Sequence, residues 1–450
     1  MRYLFGFLCV CAIGLMSVVG CSETAGETVD REWGTAQRID SDHEAGAKAQ
    51  SVAIDPQGNA IAVWGQAHGM EVTGYGVWSN RFTPSRGWGT AERIEASGGG
   101  GADVAIDPQG NALAVWRRWS AWADPSDTFW ANRFTPSAGW QTEERIEHND
   151  QGGTGGPRVA MDPQGNAIAV WSQWSGTRGN VWSNRFTPSE GWGTAERTEA
   201  NTEHDAWNPQ VAMDPQGNAI AVWATAVTVE SEDTIEMTYY RIWSNRFTPT
   251  DGWGSPEPVD EHEDNTWNPR IAMNAQGNAI AVWEHNVGRS THIWSNRFTP
   301  SSGWGKPVRI DSPDDGGHQA RSPQVALDAQ GRALAVWLQG GGIWSNRCTP
   351  TGDWGTAERI SDDVDSNRPQ LAMNSSGDAI AGWHQGDGER NNLWASRFSR
   401  SNGWETPELI EEEEGTAYGP QVVMDPQGRA VAVWNQWDGE RYRIWANWFR

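Results

Sequence analysis

The sequence predicts an all-β fold: a single eight-bladed β-propeller of four-stranded blades, with the eighth blade closed by the N-terminal strand. Three observations predict it. A unit of about fifty residues is written eight times, the signature of a repeat architecture. Each unit holds four short apolar runs separated by turn residues. The chain also starts and stops in mid-unit, with fragments that complete each other.

In the first complete unit the runs are Gln50 to Asp55, Asn59 to Trp64, Val77 to Thr83 and Trp88 to Ile94. Val, Ile, Phe, Trp and Thr dominate them, and β-branched and aromatic side chains suit a pleated, packed surface. Asp55-Pro56-Gln57-Gly58-Asn59 joins the first two runs. Proline pre-sets φ for a tight turn, and glycine takes the left-handed position. The second run ends in Ala-Val-Trp or a close variant, at Trp64, Trp116, Trp171, Trp223, Trp283, Trp337, Trp383 and Trp434. The third reads Trp-Ser-Asn-Arg-Phe or nearly so, and a Thr-Pro-Ser-x-Gly-Trp turn leads into the fourth. No run is long enough, or periodic enough, for a helix.

The phase of the repeat decides between a ring and an open array. Trp33 to Ile39 reads as a fourth strand lacking its first three, and Trp445 to Arg450 as a third strand lacking its fourth. Joined, they make one blade; an open solenoid would carry polar caps instead. Of the 31 tryptophans, 24 occupy three fixed positions per unit and are expected to pack between blades. Blades covered on both sides also explain why the second run is continuously apolar rather than alternating.

The residues before the ring suggest an export route. Met1 to Gly20 has Arg2, a short apolar stretch and Val18-Val19-Gly20 ahead of Cys21, as a secretory signal does. The expected organisation is a lipoprotein signal peptide over 1–20, a lipidated cysteine and tether over 21–32, and the propeller over 33–450. The box at Cys21 resembles the bacterial lipobox, and Ser22 after it implies sorting to the outer membrane. The resemblance implies a lipid-anchored protein of the bacterial cell envelope. Only Cys21 and Cys348 remain after processing, so no disulfide framework is available. A formal net charge of −24 argues against a nucleic-acid partner.

Function is expected on one face. The Asp-Pro-Gln-Gly-Asn and Thr-Pro-Ser-x-Gly-Trp turns share a face and barely vary. The second-to-third and blade-to-blade connections share the other and vary freely, and binding residues concentrate on such loops. The histidines fall there: His43, His68, His148, His204, His262, His285, His292, His318 and His384. So do Tyr75, Tyr239, Tyr240, Tyr418 and Tyr442, and the non-repeat Trp119, Trp122, Trp174, Trp207, Trp267 and Trp437. Aromatic rings on a rim suit a sugar ring or a protein hot spot. Trp119, Trp122, Trp174, Trp207, Trp267, Trp437, Tyr239, Tyr240 and Tyr442 are therefore the candidate ligand-binding residues. The blade-to-blade loops are acidic, densest at Asp260 to Asp264 and Glu411 to Glu414, and relieved only by Lys48 and Arg321. They could attract Ca²⁺ or a basic partner, although none carries a complete cation-binding spacing; no other cofactor is expected.

The unit also resembles a repeat of bacterial secreted and surface proteins of unknown function, with Trp-Ala/Ser-Asn-Arg, Gly-Trp-Gly-Thr-Ala-Glu and Asp-x-x-Gly-Asn-Ala-x-Ala-Val-Trp. It is distantly similar to the repeat of the Tol-system periplasmic propeller, where an N-terminal outer strand can also close the ring. The resemblance implies architecture and no activity. The Ser-x-Asp-x-Gly-x-Thr-Trp boxes of sialidases are not matched. The expected function is a monomeric, non-catalytic binding lipoprotein that presents an aromatic and acidic loop face to a glycan or protein partner. The alternatives are an envelope assembly scaffold and a carbohydrate-active propeller enzyme, sialidase-like or a lyase.

Overall fold

The computed structural model describes residues 31–41, 46–67, 75–118, 127–147, 152–153, 155–176, 178–199, 204–229, 237–262, 264–312, 319–361, 365–412 and 414–450. Among them every regular element is a strand. The strands form eight antiparallel sheets in chain order, each running from an inner first strand to an outer fourth one. Blade 1 comprises Ala47–Ile54, Ala60–Ala67, Tyr75–Thr83 and an outer strand paired in two short stretches, Gly87–Trp88 and Glu92–Arg93. Each inner strand packs against the inner strand of the next blade, and Ala47–Ile54 also packs on Ala417–Met424 of blade 8, so the ring is closed.

Blade 8 is the composite that the repeat phase predicts. Gln37–Arg38 pairs antiparallel with Tyr442–Phe449, with Gln37 opposite Ala446 and Arg38 opposite Trp445, and Trp33 bridges to Phe449. This removes two open strand edges that would otherwise invite edge-to-edge pairing.

Repeat residues explain how the blades hold together. The Asp55 carboxylate caps its turn, accepting from the backbone N of Gln57 and Asn59 at 2.9 and 2.8 Å, while Gly58 sits at φ 84°. Along the second strand of blade 1, Ala60, Ala62 and Trp64 pack toward blade 8, and Ile61 and Val63 toward blade 2. The core therefore lies between blades, and the eight second-strand tryptophans are almost wholly enclosed. Third- and fourth-strand tryptophans are mostly half-buried, as where Trp140 lies against Phe134 at 5.5 Å.

The asparagine of Trp-Ser-Asn-Arg staples neighbours. Asn132 Nδ2 donates to Ile94 O of blade 1 at 2.9 Å and to Gln141 O of its own outer strand at 2.8 Å. Arginines of the same motif reach over the next blade's phenylalanine, Arg81 over Phe134 at 5.5 Å, for example. At the closure Trp448 replaces that arginine and packs on Phe82 with ring centres 4.4 Å apart. Cys348 stands where other units carry Phe and is a buried free thiol, its pKa pushed up to about 11 by burial.

Candidate functional site

Most inner strands carry one irregularity, and it shapes the channel. Pairing with the second strand slips by a residue, as between Trp207 and Gln210, where the backbone bulges through left-handed Asn208 at φ 53°. Blades 5, 6 and 7 repeat this with Asn268, Ser322 and Arg368, and blades 2 and 8 use Gly101 and Gly419. Non-glycine residues in this region cost energy that surrounding structure must offset. Glu284 supplies part of the offset, accepting from Asn268 Nδ2 at 2.9 Å and from Ser322 N at 2.8 Å.

At the repeat position that follows the bulge, which blade 3 lacks, each blade places one residue on the central cavity: Ser51, Asp103, Arg158, Gln210, Arg270, Gln324, Gln370 and Gln421. Together they line a cavity of about 560 Å³. It continues, past Arg270 and Gln421, into a second cavity of about 440 Å³ that also meets Lys48 and Arg368. Asp103 is occupied, accepting from Ser51 Oγ at 2.8 Å and from Val159 N at 3.0 Å. Arg158 and Arg270 each donate to the carbonyl of the preceding proline, at 3.4 and 2.9 Å. Burial first, and then the Arg158 charge, pull the Arg270 pKa down to about 10, so it stays cationic near neutrality. On the axis of a protein with net charge −24, four glutamines and two arginines thus stand against the single carboxylate of Asp103, a setting for an anion.

Just before the bulge the inner strands carry Lys48, Trp207, Trp267, Arg321, Asn367 and Tyr418 at the channel mouth. Here the structure differs from the loop placement expected of Trp207 and Trp267. The bulge lets the inner strand continue past its proline, so both belong to strands. Tyr240, on the long third strand Met237–Thr248, lies between them, 5.0 Å from Trp207 and 5.1 Å from Trp267. A second aromatic row crosses blades 7 and 8: His384 meets Tyr418 at 5.3 Å, Tyr418 meets Tyr442 at 6.1 Å, and Tyr442 meets Trp437 at 5.2 Å.

Other predicted residues are dispersed. Trp174, near the end of its second strand, is 40% exposed, and the row-forming Trp437 is 37% exposed. Tyr239 sits beneath the Arg241 guanidinium at 5.1 Å. Trp119, Trp122 and Cys21 lie outside the described residues. His285, His292 and His384 occupy strands rather than loops, because second and third strands extend past the repeat tryptophan. Burial, with the Arg368 charge beside it, lowers the His384 pKa to about 4 and keeps its imidazole neutral.

The acidic loops are less solvated than their sequence suggests. Their leading carboxylates are buried and paired: Asp40 with Arg38 at 2.7 Å, Glu95 with Arg93 at 2.6 Å, and Asp311 with Arg309 at 2.8 Å. Among the described residues no group of three His, Cys, Asp or Glu side chains is placed to hold a metal ion. The loop segments 42–45, 313–318 and 362–364 lie outside them.

Arg158 and Arg270 were missed from sequence. The available signal was a change from glutamine to arginine at one repeat position, Pro157-Arg158-Val159 and Pro269-Arg270-Ile271 against Pro209-Gln210-Val211.

No family model matches the chain, and neither does any curated protein. The family resemblance read from the repeat therefore stays an expectation. Solved structures share the fold. An ulvan lyase of a polysaccharide lyase family aligns over 91% of this chain and 95% of its own, with 11% identity and a TM-score of 0.52. A protein of unknown function from Dyadobacter fermentans aligns over 93% and 99%, with 11% identity and a TM-score of 0.44. A leech intramolecular trans-sialidase aligns over 91% and 92%, with 9% identity and a TM-score of 0.41. At such identities these likenesses establish the β-propeller and nothing finer.

Proposed function

We propose that this chain is a lipid-anchored envelope protein whose propeller binds an acidic glycan at the mouth of its central channel. The observation that carries this reading is the pair Arg158 and Arg270, two cations on the axis of an otherwise anionic molecule, with few protein partners. A uronate carboxylate or a sulfate ester would take their free N–H groups. The Trp207–Tyr240–Trp267 cluster offers rings for stacking on the sugar, while the acidic loops repel a bare polyanion and favour a sparsely charged one. Anchoring through Cys21 would hold the propeller at the membrane.

The test is a glycan array with the chain from Ser22 onward, set against Arg158→Gln/Arg270→Gln, which restores the residue common at that repeat position. Acidic oligosaccharides should be captured by the parent and lost by the variant, with unchanged melting. Equal capture by both removes the channel from the binding site.

An enzymatic version is favoured by one observation: the neutral His384 lies against Tyr418 at the mouth, beside the cationic Arg368. A proton-accepting group next to a cation suits elimination from a uronate, and the aligned ulvan lyase is a polysaccharide lyase. Incubation with uronate polysaccharides should then yield unsaturated products absorbing in the ultraviolet, and His384→Ala should abolish them. Without such products the binding reading stands alone.

A further inference from the structure

In five blades the second-strand tryptophan donates its indole N–H to a glutamine two residues on: Trp64 to Gln66, Trp171 to Gln173, Trp337 to Gln339, Trp383 to Gln385 and Trp434 to Gln436. In blade 8 that glutamine turns its Nε2 to Glu411 Oε2 at 3.1 Å, the carboxylate closing the preceding blade. The carboxamide thus fills the gap between two blades and satisfies a donor on one side and an acceptor on the other. Blade 2 places Arg118 at this position and blade 5 His285, both bulky.

Blade 4 alone carries a short residue there, Thr225. Between blades 3 and 4 a cavity of about 160 Å³ opens, lined by Glu199, His204, Trp223, Thr225, Val227, Trp243 and Pro256. Glu199 is the counterpart of Glu411. Its Oε2 accepts from Val181 N at 2.7 Å, but its Oε1 is buried and without a hydrogen-bond partner, as are Thr225 Oγ1 and Trp243 Nε1. Glu199 and Thr225 are each 7% exposed. Such unmatched polar groups are costly unless something completes them. Burial raises the Glu199 pKa to about 7, against the lowering effect of backbone N–H groups, the Arg197 charge and the Asn180 side chain.

We propose that this inter-blade cavity is a second ligand site, and that it takes the acetamido group of an N-acetylated amino sugar in place of the missing glutamine carboxamide. The acetamido carbonyl accepts from the Trp223 indole, as Gln Oε1 does in other blades, and its N–H donates to Glu199 Oε1. A secondary amide fits better than a primary one: one free carboxylate oxygen matches one N–H, and the methyl group meets the apolar Val227 and Pro256. The site lies off the channel and uses none of its arginines, so it stands whether or not the channel reading holds.

The experiment measures binding of N-acetylglucosamine, glucosamine and glucose to the full-length chain in detergent, by calorimetry or ligand-observed NMR. N-acetylglucosamine should bind saturably, and the other two at least about tenfold more weakly, roughly one well-made hydrogen bond. Thr225→Gln restores the repeat and fills the cavity; it should abolish binding while the protein melts at the same or a higher temperature. Glu199→Ala should weaken binding, and Arg158→Gln/Arg270→Gln should leave it intact. Undiminished binding by a folded Thr225→Gln protein would overturn the proposal. So would glucosamine binding as tightly as its N-acetyl form, which would make the cavity an ammonium site. Absence of saturable N-acetylglucosamine binding overturns it as well.

Discussion

Asn447 Nδ2 donates to the carbonyl of Gly34 at 2.8 Å, joining residues 413 positions apart in the chain. The same amide donates to Ile410 O of blade 7 at 2.9 Å. One side chain on the last strand therefore holds the first strand of the chain and the preceding blade together. Deleting residues 442–450 removes this link and the partner of Gln37–Arg38, exposing two edges. The truncated protein should aggregate and melt earlier than the parent. Equal solubility and melting temperature would contradict closure by this strand.

Blade 7 lacks the asparagine staple. Ser396 takes its place and donates only within its own blade, to Glu405 O at 2.7 Å. Ser396→Asn should reach Ile360 O of blade 6 and stabilise the ring by about 1 kcal/mol, the net worth of one added hydrogen bond. Asn296→Ala in blade 5 should cost about 1–3 kcal/mol, because it leaves the Val259 and Gly305 carbonyls unmatched. Denaturant midpoints measure both; a destabilised Ser396→Asn protein would show that blade 7 is spaced differently.

Two buried groups give opposite pH dependences. The His384 pKa is lowered from 6.5 to about 4, so the unfolded chain takes up the proton first and stability falls as pH drops through that window. The Glu199 pKa is raised from 4.5 to about 7, so the unfolded chain loses its proton first and stability falls as pH rises through that window. His384→Gln should therefore stabilise the protein relative to the parent near pH 4 and not near pH 8, and Glu199→Gln the reverse. Each effect is at most about 3 kcal/mol. Parallel melts of the two variants across pH check the signs.

Lipid attachment is checked at Cys21. Cys21→Ser should leave an unprocessed precursor or release the protein from the membrane fraction. Unchanged processing and membrane attachment would remove the anchor from the proposed function.

The sequence by itself determined the blade. Turn residues, strand composition and the period are local properties, and a propeller blade is built from neighbours in the chain. Even closure was legible, because Trp33 to Ile39 and Trp445 to Arg450 spell complementary parts of one repeat. Only the tertiary structure decided which departures from the repeat meet. Asn208-Pro209 reads as the end of a loop, yet a bulge carries the inner strand through it, and that alone moves Trp207 from a loop to the channel mouth. Arg158 and Arg270 stand two blades apart and become one site because eight inner strands converge on a common axis. Thr225 looks like a harmless change until Glu199 of the adjacent blade is placed against the space that glutamine leaves. Packing between blades is non-local, and no period in the chain encodes what a missing side chain uncovers on its neighbour.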